Sequence, residues 1–199
     1  MFGSSYDVSL RSKRAHHAQL LITLTKVVFH TKRFFKTDYQ DPETDTVELE
    51  KKLYLWASSR CSQKEYCRSE LAQKMHQKGA SSAIVEQILQ RLENERYVDE
   101  TRYARAFASD KFRFESWGKV KIRYTLQQKG LSSCDIEEGL SVISEEDYQS
   151  TLKAFLSHKL KTTKGETAYD IKRKAARSAI TRGFEPQLVF AQLSLKEMD

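Results

Sequence analysis

The segment that decides the fold spans residues 117–132 and has the sequence WGKVKIRYTLQQKGLS. Its basic residue followed by glycine, Lys129-Gly130, recurs as Lys78-Gly79 and as Arg182-Gly183, and the three glycines lie 51 and 53 residues apart. Apolar residues recur at fixed offsets from each glycine. They stand one, six and ten residues after each glycine and eight residues before it. In that order they are Ala80, Val85, Leu89 and Leu71 around Gly79; Leu131, Ile136, Leu140 and Ile122 around Gly130; and Phe184, Val189, Leu193 and Ala175 around Gly183. Matched positions at one spacing predict three copies of a unit of about 50 residues.

Each of these glycines predicts the end of a helix. Glycine suits the left-handed position just after a helix, where a Cβ atom is penalised, and the apolar residue beside it can fold back onto the last turn. A new helix start follows in every copy: Ser81-Ser82, Ser132-Ser133 and Pro186 are residues favoured at a helix N-terminus. The glycines therefore separate the second helix of each unit from the third.

The apolar periodicity between the glycines predicts three helices in each unit. Two segments, 45–48 and 62–65, fit the capping-box pattern and predict helix starts at those positions. The predicted helices span 47–60, 63–78 and 82–95; 100–115, 118–129 and 133–142; and 145–161, 166–182 and 186–196. We therefore expect an all-α protein of three tandem three-helix repeats, 45–97, 98–143 and 144–199, that form an elongated, curved array.

Residues 1–44 lie outside the repeat. The apolar, β-branched and basic mixture between Leu20 and Phe35 is compatible with a helix, a strand pair or an extension ordered by a partner. We expect a weakly ordered or loosely packed N-terminal extension.

Composition excludes several classes of protein. Two Pro and seven Gly among 199 residues, with 39% hydrophobic and 31% charged residues, exclude collagen-like and Pro/Gly-rich disordered chains. A membrane protein is excluded too, because no window approaches the roughly 18 apolar residues that a spanning helix needs. The three cysteines form no C-x-x-C pair, and the histidines lack zinc-finger spacing. We expect free thiols in a reducing cytoplasm, no metal and no cofactor.

The net charge of +7 is concentrated in two segments. Residues 111–130 and 153–183 are strongly basic, while 131–150 contain six acidic residues and no basic one. Candidate partner- or nucleic-acid-binding residues are Lys111, Arg113, Lys119, Lys121, Arg123, Lys129, Lys172, Arg173, Lys174, Arg177 and Arg182. Such a basic stripe suits a phosphate backbone or a filament of alternating charge, and the alternative is a set of solvated helix faces with intrahelical ion pairs.

The aromatic residues beside this stripe allow two uses. Stacking on nucleic-acid bases is one, and packing in the core, which helical spacing favours, is what we expect for most of them. These aromatic residues are Phe112, Phe114, Trp117, Tyr124 and Tyr169. No Gly-rich phosphate loop or G-x-S-x-G motif is present, and the acidic pairs stand at helix starts, where the helix dipole explains them. We therefore expect no enzymatic activity.

Four segments resemble the RecX family, the bacterial regulators of the RecA recombinase. Residues 96–107, RYVDETRYARAF, are similar to the family core G-Y-L-D-D-x-R-F-A, and residues 117–132 are similar to its stretch G-x-x-[KR]-I-x-x-x-L-x-x-K-G-[IL]-S. Residues 69–75 resemble E-L-x-x-K-L, and 182–184 match the closing R-G-F/Y. The resemblance covers about residues 50–195. Arg96 stands where the family usually has Gly, and Glu100 replaces the second Asp.

The resemblance implies a non-enzymatic inhibitor that lies in the groove of the RecA–DNA filament and opposes its extension, ATP hydrolysis and strand exchange. The expected partners are that filament and the single- or double-stranded DNA within it, and we expect a monomer that does not bind membranes. The residues expected to form the structural motif are Gly79, Asp99, Arg102, Tyr103, Phe107, Ile122, Gly130, Gly183 and Phe184. Two alternatives stay open: a stand-alone DNA-binding module, and an α-repeat adaptor for an acidic protein.

Overall fold

A computed structural model describes residues 42–194, and all of the regular structure in this part of the chain is helical. Helices α1 to α3 span Pro42–Cys61, Arg68–Gln77 and Ser82–Asn94; α4 to α6 span Glu100–Glu115, Lys119–Gln128 and Ser133–Leu140; α7 to α9 span Glu145–Thr162, Ala168–Thr181 and Pro186–Leu193. The predicted all-α class and the predicted order of three helices per repeat are confirmed. We refer to α1–α3, α4–α6 and α7–α9 as repeats one, two and three.

The two predicted capping boxes are wrong. Helix α1 already begins at Pro42, so residues 45–48 lie inside it, and α2 begins at Arg68 after the N-cap residue Cys67. Glu65 does not cap α2, because its carboxylate binds Arg102 at 2.6 Å. The backbone N–H of Arg68 instead donates to Oε1 of Glu100 at 2.8 Å, so the next repeat caps this helix.

The predicted weak order of residues 1–44 lies outside the described residues, apart from the three residues that begin α1. Of the described residues, those from Glu48 to Ser194 belong to one compact unit. No helix in the described range is long and apolar enough to cross a membrane.

The glycine-centred turn has the same geometry in all three repeats. Gly79, Gly130 and Gly183 have φ of +89°, +85° and +92°. The residue after each glycine donates its amide hydrogen five residues back, as in a Schellman motif: Ala80 to Met75 at 3.2 Å, Leu131 to Leu126 at 3.3 Å and Phe184 to Ala179 at 3.2 Å. All twelve apolar residues at the matched offsets are buried, so the repeat predicted from sequence is a repeat in structure.

The buried apolar side chains form two clusters. The first core lies within repeat one and includes Leu53, Leu71, Ile88 and Leu92. The second core runs through repeats two and three without interruption, from Tyr103 to Leu193, and also contains Cys67. Repeats two and three therefore share one hydrophobic core.

Main-chain contacts also join repeats two and three. The amide of Gly118 donates to the carbonyl oxygen of Arg182 at 2.9 Å, and the amide of Val120 donates to that of Gly183 at 3.1 Å. The N-terminus of α5 thus lies directly against the C-terminal end of α8. This approach positions the candidate site.

Candidate functional site

A groove of about 400 Å³ lies where α5 meets α8. Four of the eleven predicted cationic residues line it: Lys121 on α5, Lys174 and Arg177 on α8, and Arg182 at the C-cap of α8. The hydroxyl residues Ser178 and Thr181 complete the lining. The two basic segments of the sequence therefore meet at one place.

Local sequence and the contact between repeats both explain this clustering. Positions 174, 177, 178 and 181 share one face of α8, because residues three and four apart on a helix are neighbours. Lys121 lies in the first turn of α5, and its Cβ would be only 2.3 Å from a Cβ built on Gly183. The absence of a side chain at Gly183 lets α5 bring Lys121 beside the α8 cations.

The groove cations have no carboxylate partner within ion-pair distance in residues 42–194. The Nζ of Lys121 lies 4.0 Å from the ring centroid of Trp117, that of Lys174 donates to the carbonyl oxygen of Lys164 at 3.0 Å, and Nη1 of Arg182 donates to the carbonyl oxygen of Glu115 at 2.6 Å. The guanidinium of Arg177 is exposed. Four positive charges thus converge while keeping hydrogen-bonding capacity for an anion.

The nearby acidic residue is Glu115, which Lys111 binds from within α4. The hydrogen bond from Lys111 and its charge, with smaller contributions from Lys121 and Arg182, hold the pKa of Glu115 below its ordinary value. Glu115 therefore stays negative at neutral pH. Its carboxylate is paired with Lys111 and forms no ion pair with the groove cations.

Most of the other predicted cations have partners within the protein. Lys119 binds Glu145 at 3.3 Å, Arg123 binds Glu137 at 2.8 Å, Lys129 binds Glu70, and Arg173 lies 3.8 Å from Asp170. Lys172 donates to the carbonyl oxygen of Leu193 at 3.1 Å, so it stabilises the end of α9. These cations are therefore paired or hydrogen-bonded within the protein.

Arg113 lies elsewhere, in a cavity of about 650 Å³ between α4 and α7. Phe112 and Phe155 line this cavity together with His158 and four hydroxyl or carboxyl side chains. The sequence did not indicate this grouping.

The expectation that the stripe's aromatic residues pack mainly in the core is wrong for three of the five. Phe112 is buried, and Trp117 is half-buried, but Phe114, Tyr124 and Tyr169 are 82%, 61% and 56% exposed. They lie on helix faces that no other described element covers. Helical spacing could not distinguish the two faces because both contain apolar residues.

Six of the nine predicted motif residues lie in repeat two, and three of these, Tyr103, Phe107 and Ile122, pack in its interior. Asp99 is the N-cap of α4, and its Oδ1 accepts the Arg102 amide at 2.9 Å. Tyr103 and Ile122 are buried in the second core, and Phe107 packs against it with its ring centroid 5.9 Å from that of Tyr103. These residues stabilise the repeat and do not line the groove.

Sequence reasoning missed the role of Tyr148. Its buried hydroxyl accepts the backbone N–H of Lys119 at 3.0 Å and donates to Oε2 of Glu185 at 2.6 Å. Burial, followed by the bond to Glu185, raises the pKa of Tyr148, so the phenol stays neutral and keeps donating. This side chain connects α5, α7 and the start of α9. Its only signal in the sequence was its place among the regularly spaced apolar residues of α7.

Three tandem three-helix repeats define a helical-repeat protein, and its two basic segments meet in one groove. The family model described as "RecX, second three-helix domain" matches residues 99–140. The regulatory protein RecX of Pseudomonas fluorescens strain SBW25 is 30% identical over 141 residues, which cover 69% of this chain and 87% of that protein. RecX of Chlorobium phaeobacteroides strain BS1 is 31% identical over 138 residues, with 68% and 87% covered. The chain belongs to the RecX family of regulatory proteins.

Solved structures agree with this fold. A crystal structure of regulatory protein RecX has a TM-score of 0.69 at 20% identity and covers 76% of this chain and 74% of its own. RecX from Lactobacillus salivarius has a TM-score of 0.66 at 16% identity, with 74% and 96% covered. At these identities, the likeness concerns the helical architecture.

Proposed function

We propose that this protein is a non-enzymatic regulator that binds as a monomer in the groove of the cytoplasmic RecA–DNA filament. There it opposes filament extension, ATP hydrolysis and strand exchange. Family membership supports the RecA partner, because the relatives are named regulatory protein RecX and the RecX family regulates the RecA recombinase. The observation that carries the proposal for the site is the groove in which Lys121, Lys174, Arg177 and Arg182 have no carboxylate partner among the described residues.

The groove favours a polyanionic element of the filament over an acidic side chain acting alone. Its cations come from two helices and its hydroxyls from one, so successive phosphates or carboxylates along a partner could each find a donor. Exposed Tyr124 lies on α5, the helix that carries Lys121, and offers an apolar contact beside the charges. We propose that the DNA of the filament, or an acidic strip of RecA beside it, occupies this groove.

The test is a titration of the protein into RecA-catalysed ATP hydrolysis on single-stranded DNA and into strand exchange. The variant Lys174→Glu/Arg177→Glu reverses the two groove charges whose side chains are exposed on α8. We expect it to raise the half-inhibitory concentration at least tenfold. Lys172 and Arg173 are less informative, because Lys172 holds the end of α9 and Arg173 faces Asp170.

A matched control is Lys153→Glu/Lys161→Glu, which makes the same change in net charge on exposed positions of α7 outside the groove. We expect this control to inhibit within twofold of the unaltered protein. Equal loss of inhibition in both variants would reduce the effect to net charge, and no loss in either would remove the groove from the mechanism.

Pull-down assays separate this proposal from its alternatives. A filament regulator should be retained much more strongly by RecA and DNA together than by DNA alone, a stand-alone nucleic-acid-binding module should be retained equally by DNA with or without RecA, and an adaptor for another acidic protein needs neither. Absence of any effect on RecA at saturating protein would overturn the proposed function.

A further inference from the structure

The contact between repeats one and two differs in kind from that between repeats two and three. Repeats two and three share one apolar core and two main-chain hydrogen bonds. Repeat one has its own core, and Cys67 is its one described residue that belongs to the other. The hydrophobic effect therefore stabilises the contact between repeats two and three but contributes little to the contact between repeats one and two.

Polar side chains hold repeat one against repeat two. We define the latch as the contacts of Arg102 with Glu65 at 2.6 Å, of Tyr103 with Glu70 at 3.1 Å, of Lys129 with Glu70, and of the Arg68 amide with Glu100 at 2.8 Å. The Arg102 and Glu65 side chains are 43% and 28% exposed. Partly exposed ion pairs contribute little to stability, because water competes for both partners.

Two features indicate that the latch is incomplete. One carboxylate oxygen of Glu65 and one of Glu100 are buried without a hydrogen-bond partner. A groove of about 550 Å³ also runs along the junction, lined by Val85 and Leu89 of repeat one and Leu131 of repeat two. Val85 and Leu89 are buried in the first core and Leu131 in the second, so the groove runs between two separate cores.

The connection between the repeats supplies a pivot. Val98 is packed in the first core, while Asp99, the next residue, caps α4 of repeat two. No other residue separates the two folded parts, so a change in the dihedral angles at this one step reorients them. Hinges are commonly a few residues at the ends of helices that absorb such a change.

We infer that repeat one is a hinged arm, which the latch closes against repeat two and which pivots at Val98–Asp99, while repeats two and three move as one body. The inference concerns motion within the chain and does not depend on the partner. The arm opens by breaking the latch contacts and withdrawing Cys67 from the second core, and the rest of both hydrophobic cores stays intact.

Double electron–electron resonance on the full chain tests this inference. Cys134 is exposed in repeat two, whereas Cys61 and Cys67 are buried, so a nitroxide label can be placed on the native Cys134. A second label at Gln87→Cys reports on repeat one, and one at Ser157→Cys reports on repeat three; both positions are exposed and helical. We expect the 87–134 distance distribution to be at least twice as wide as the 134–157 distribution.

The latch variant is Arg102→Ala, and its matched control is Arg123→Ala, which removes an arginine of similar exposure (38% against 43%) whose ion pair lies within repeat two. Arg102→Ala should widen the 87–134 distribution further, leave the 134–157 distribution unchanged, and preserve the helical circular dichroism. Arg123→Ala should alter neither distribution. Equal widths in the unaltered protein, no response to Arg102→Ala, or widening of both distributions would each overturn the hinge.

Discussion

Gly118 and Gly183, 65 residues apart in the sequence, lie in direct backbone contact. A Cβ atom built on Gly118 would lie 2.1 Å from the carbonyl carbon of Gly183. The Gly118 amide donates to the carbonyl oxygen of Arg182, directly before Gly183. This pair sets the distance between α5 and α8, and with it the width of the basic groove.

Gly118→Ala should therefore destabilise the protein by about 3 kcal/mol, because the methyl group forces two rigid backbones apart. Denaturant unfolding followed by circular dichroism measures the change. Gly130→Ala is the matched control, since its φ is +85° but a Cβ there would meet nothing within 4 Å. It should cost only the left-handed penalty of about 1–2 kcal/mol. Equal losses would refute the steric role of Gly118.

Arg96→Gly should stabilise the protein by about 1 kcal/mol. Arg96 has φ +60°, a left-handed conformation that penalises a Cβ atom and that glycine adopts freely. The greater freedom of glycine in the unfolded chain offsets part of this gain. Thermal and denaturant unfolding measure it.

Lys153→Gly, in the interior of α7, provides the comparison for Arg96→Gly. It should lose about 1 kcal/mol, because glycine is a poor helix former. A loss of stability in Arg96→Gly as well would show that the side chain of Arg96 contributes more than its strained backbone costs.

The repeat architecture could be predicted from sequence because its signals are local. A glycine, the apolar residue after it and apolar positions at +6 and +10 lie within one helix–turn–helix segment, and each is buried or left-handed as the pattern indicates. The cap of α2 could not be predicted in this way, because Glu100 lies 32 residues from the amide it accepts. Two local capping-box patterns consequently gave wrong helix starts.

The candidate site is formed by contacts between repeats. The sequence therefore indicated which cations could take part but not which of them lack a carboxylate partner. Charge counting identified all four groove cations but could not separate them from Arg123 or Lys129, whose carboxylate partners lie 14 and 59 residues away. Which cations stay unneutralised follows from the approach of α5 to α8. That approach rests on Gly118 and Gly183.

Glu100→Gln should change how stability depends on pH. Burial raises the pKa of Glu100 above its ordinary value of 4.5, with Asp135 and Glu93 adding to the rise and the Arg68 amide and charge opposing it. A raised pKa means that the folded protein holds this proton more tightly than the unfolded chain. Its stabilising contribution is present at low pH and is lost as pH rises through the raised pKa.

The free energy of unfolding of Glu100→Gln should therefore gain on that of the unaltered protein as pH rises from about 4 to 7. Glu145→Gln provides an opposite control. Hydrogen bonds from Gln149 and Lys119 lower the pKa of Glu145, so its contribution is present at neutral pH and is lost on acidification. Urea unfolding at a series of pH values measures both. Parallel profiles for Glu100→Gln and the unaltered protein would contradict the assigned burial.

Trp117 should report occupation of the groove, because its ring centroid lies 4.0 Å from the ammonium group of Lys121 and 5.0 Å from that of Lys111. The sequence contains two tryptophans, so Trp56→Phe leaves Trp117 as the only one. If DNA phosphates bind Lys121, that ammonium moves away from the indole, and the emission of Trp117 should shift. A fluorescence titration with oligothymidylate measures this shift.

The salt dependence of the same titration tests how many cations take part. Each phosphate contact on a single strand contributes about −0.7 to the slope of log affinity against log salt, so four contacts give about −3. Lys121→Ala should make this slope shallower by about 0.7 and abolish the emission shift, because it removes the cation nearest the ring. Arg123→Ala, which removes a cation already bound to Glu137, should leave both unchanged. An emission shift that survives Lys121→Ala would place the DNA outside the groove.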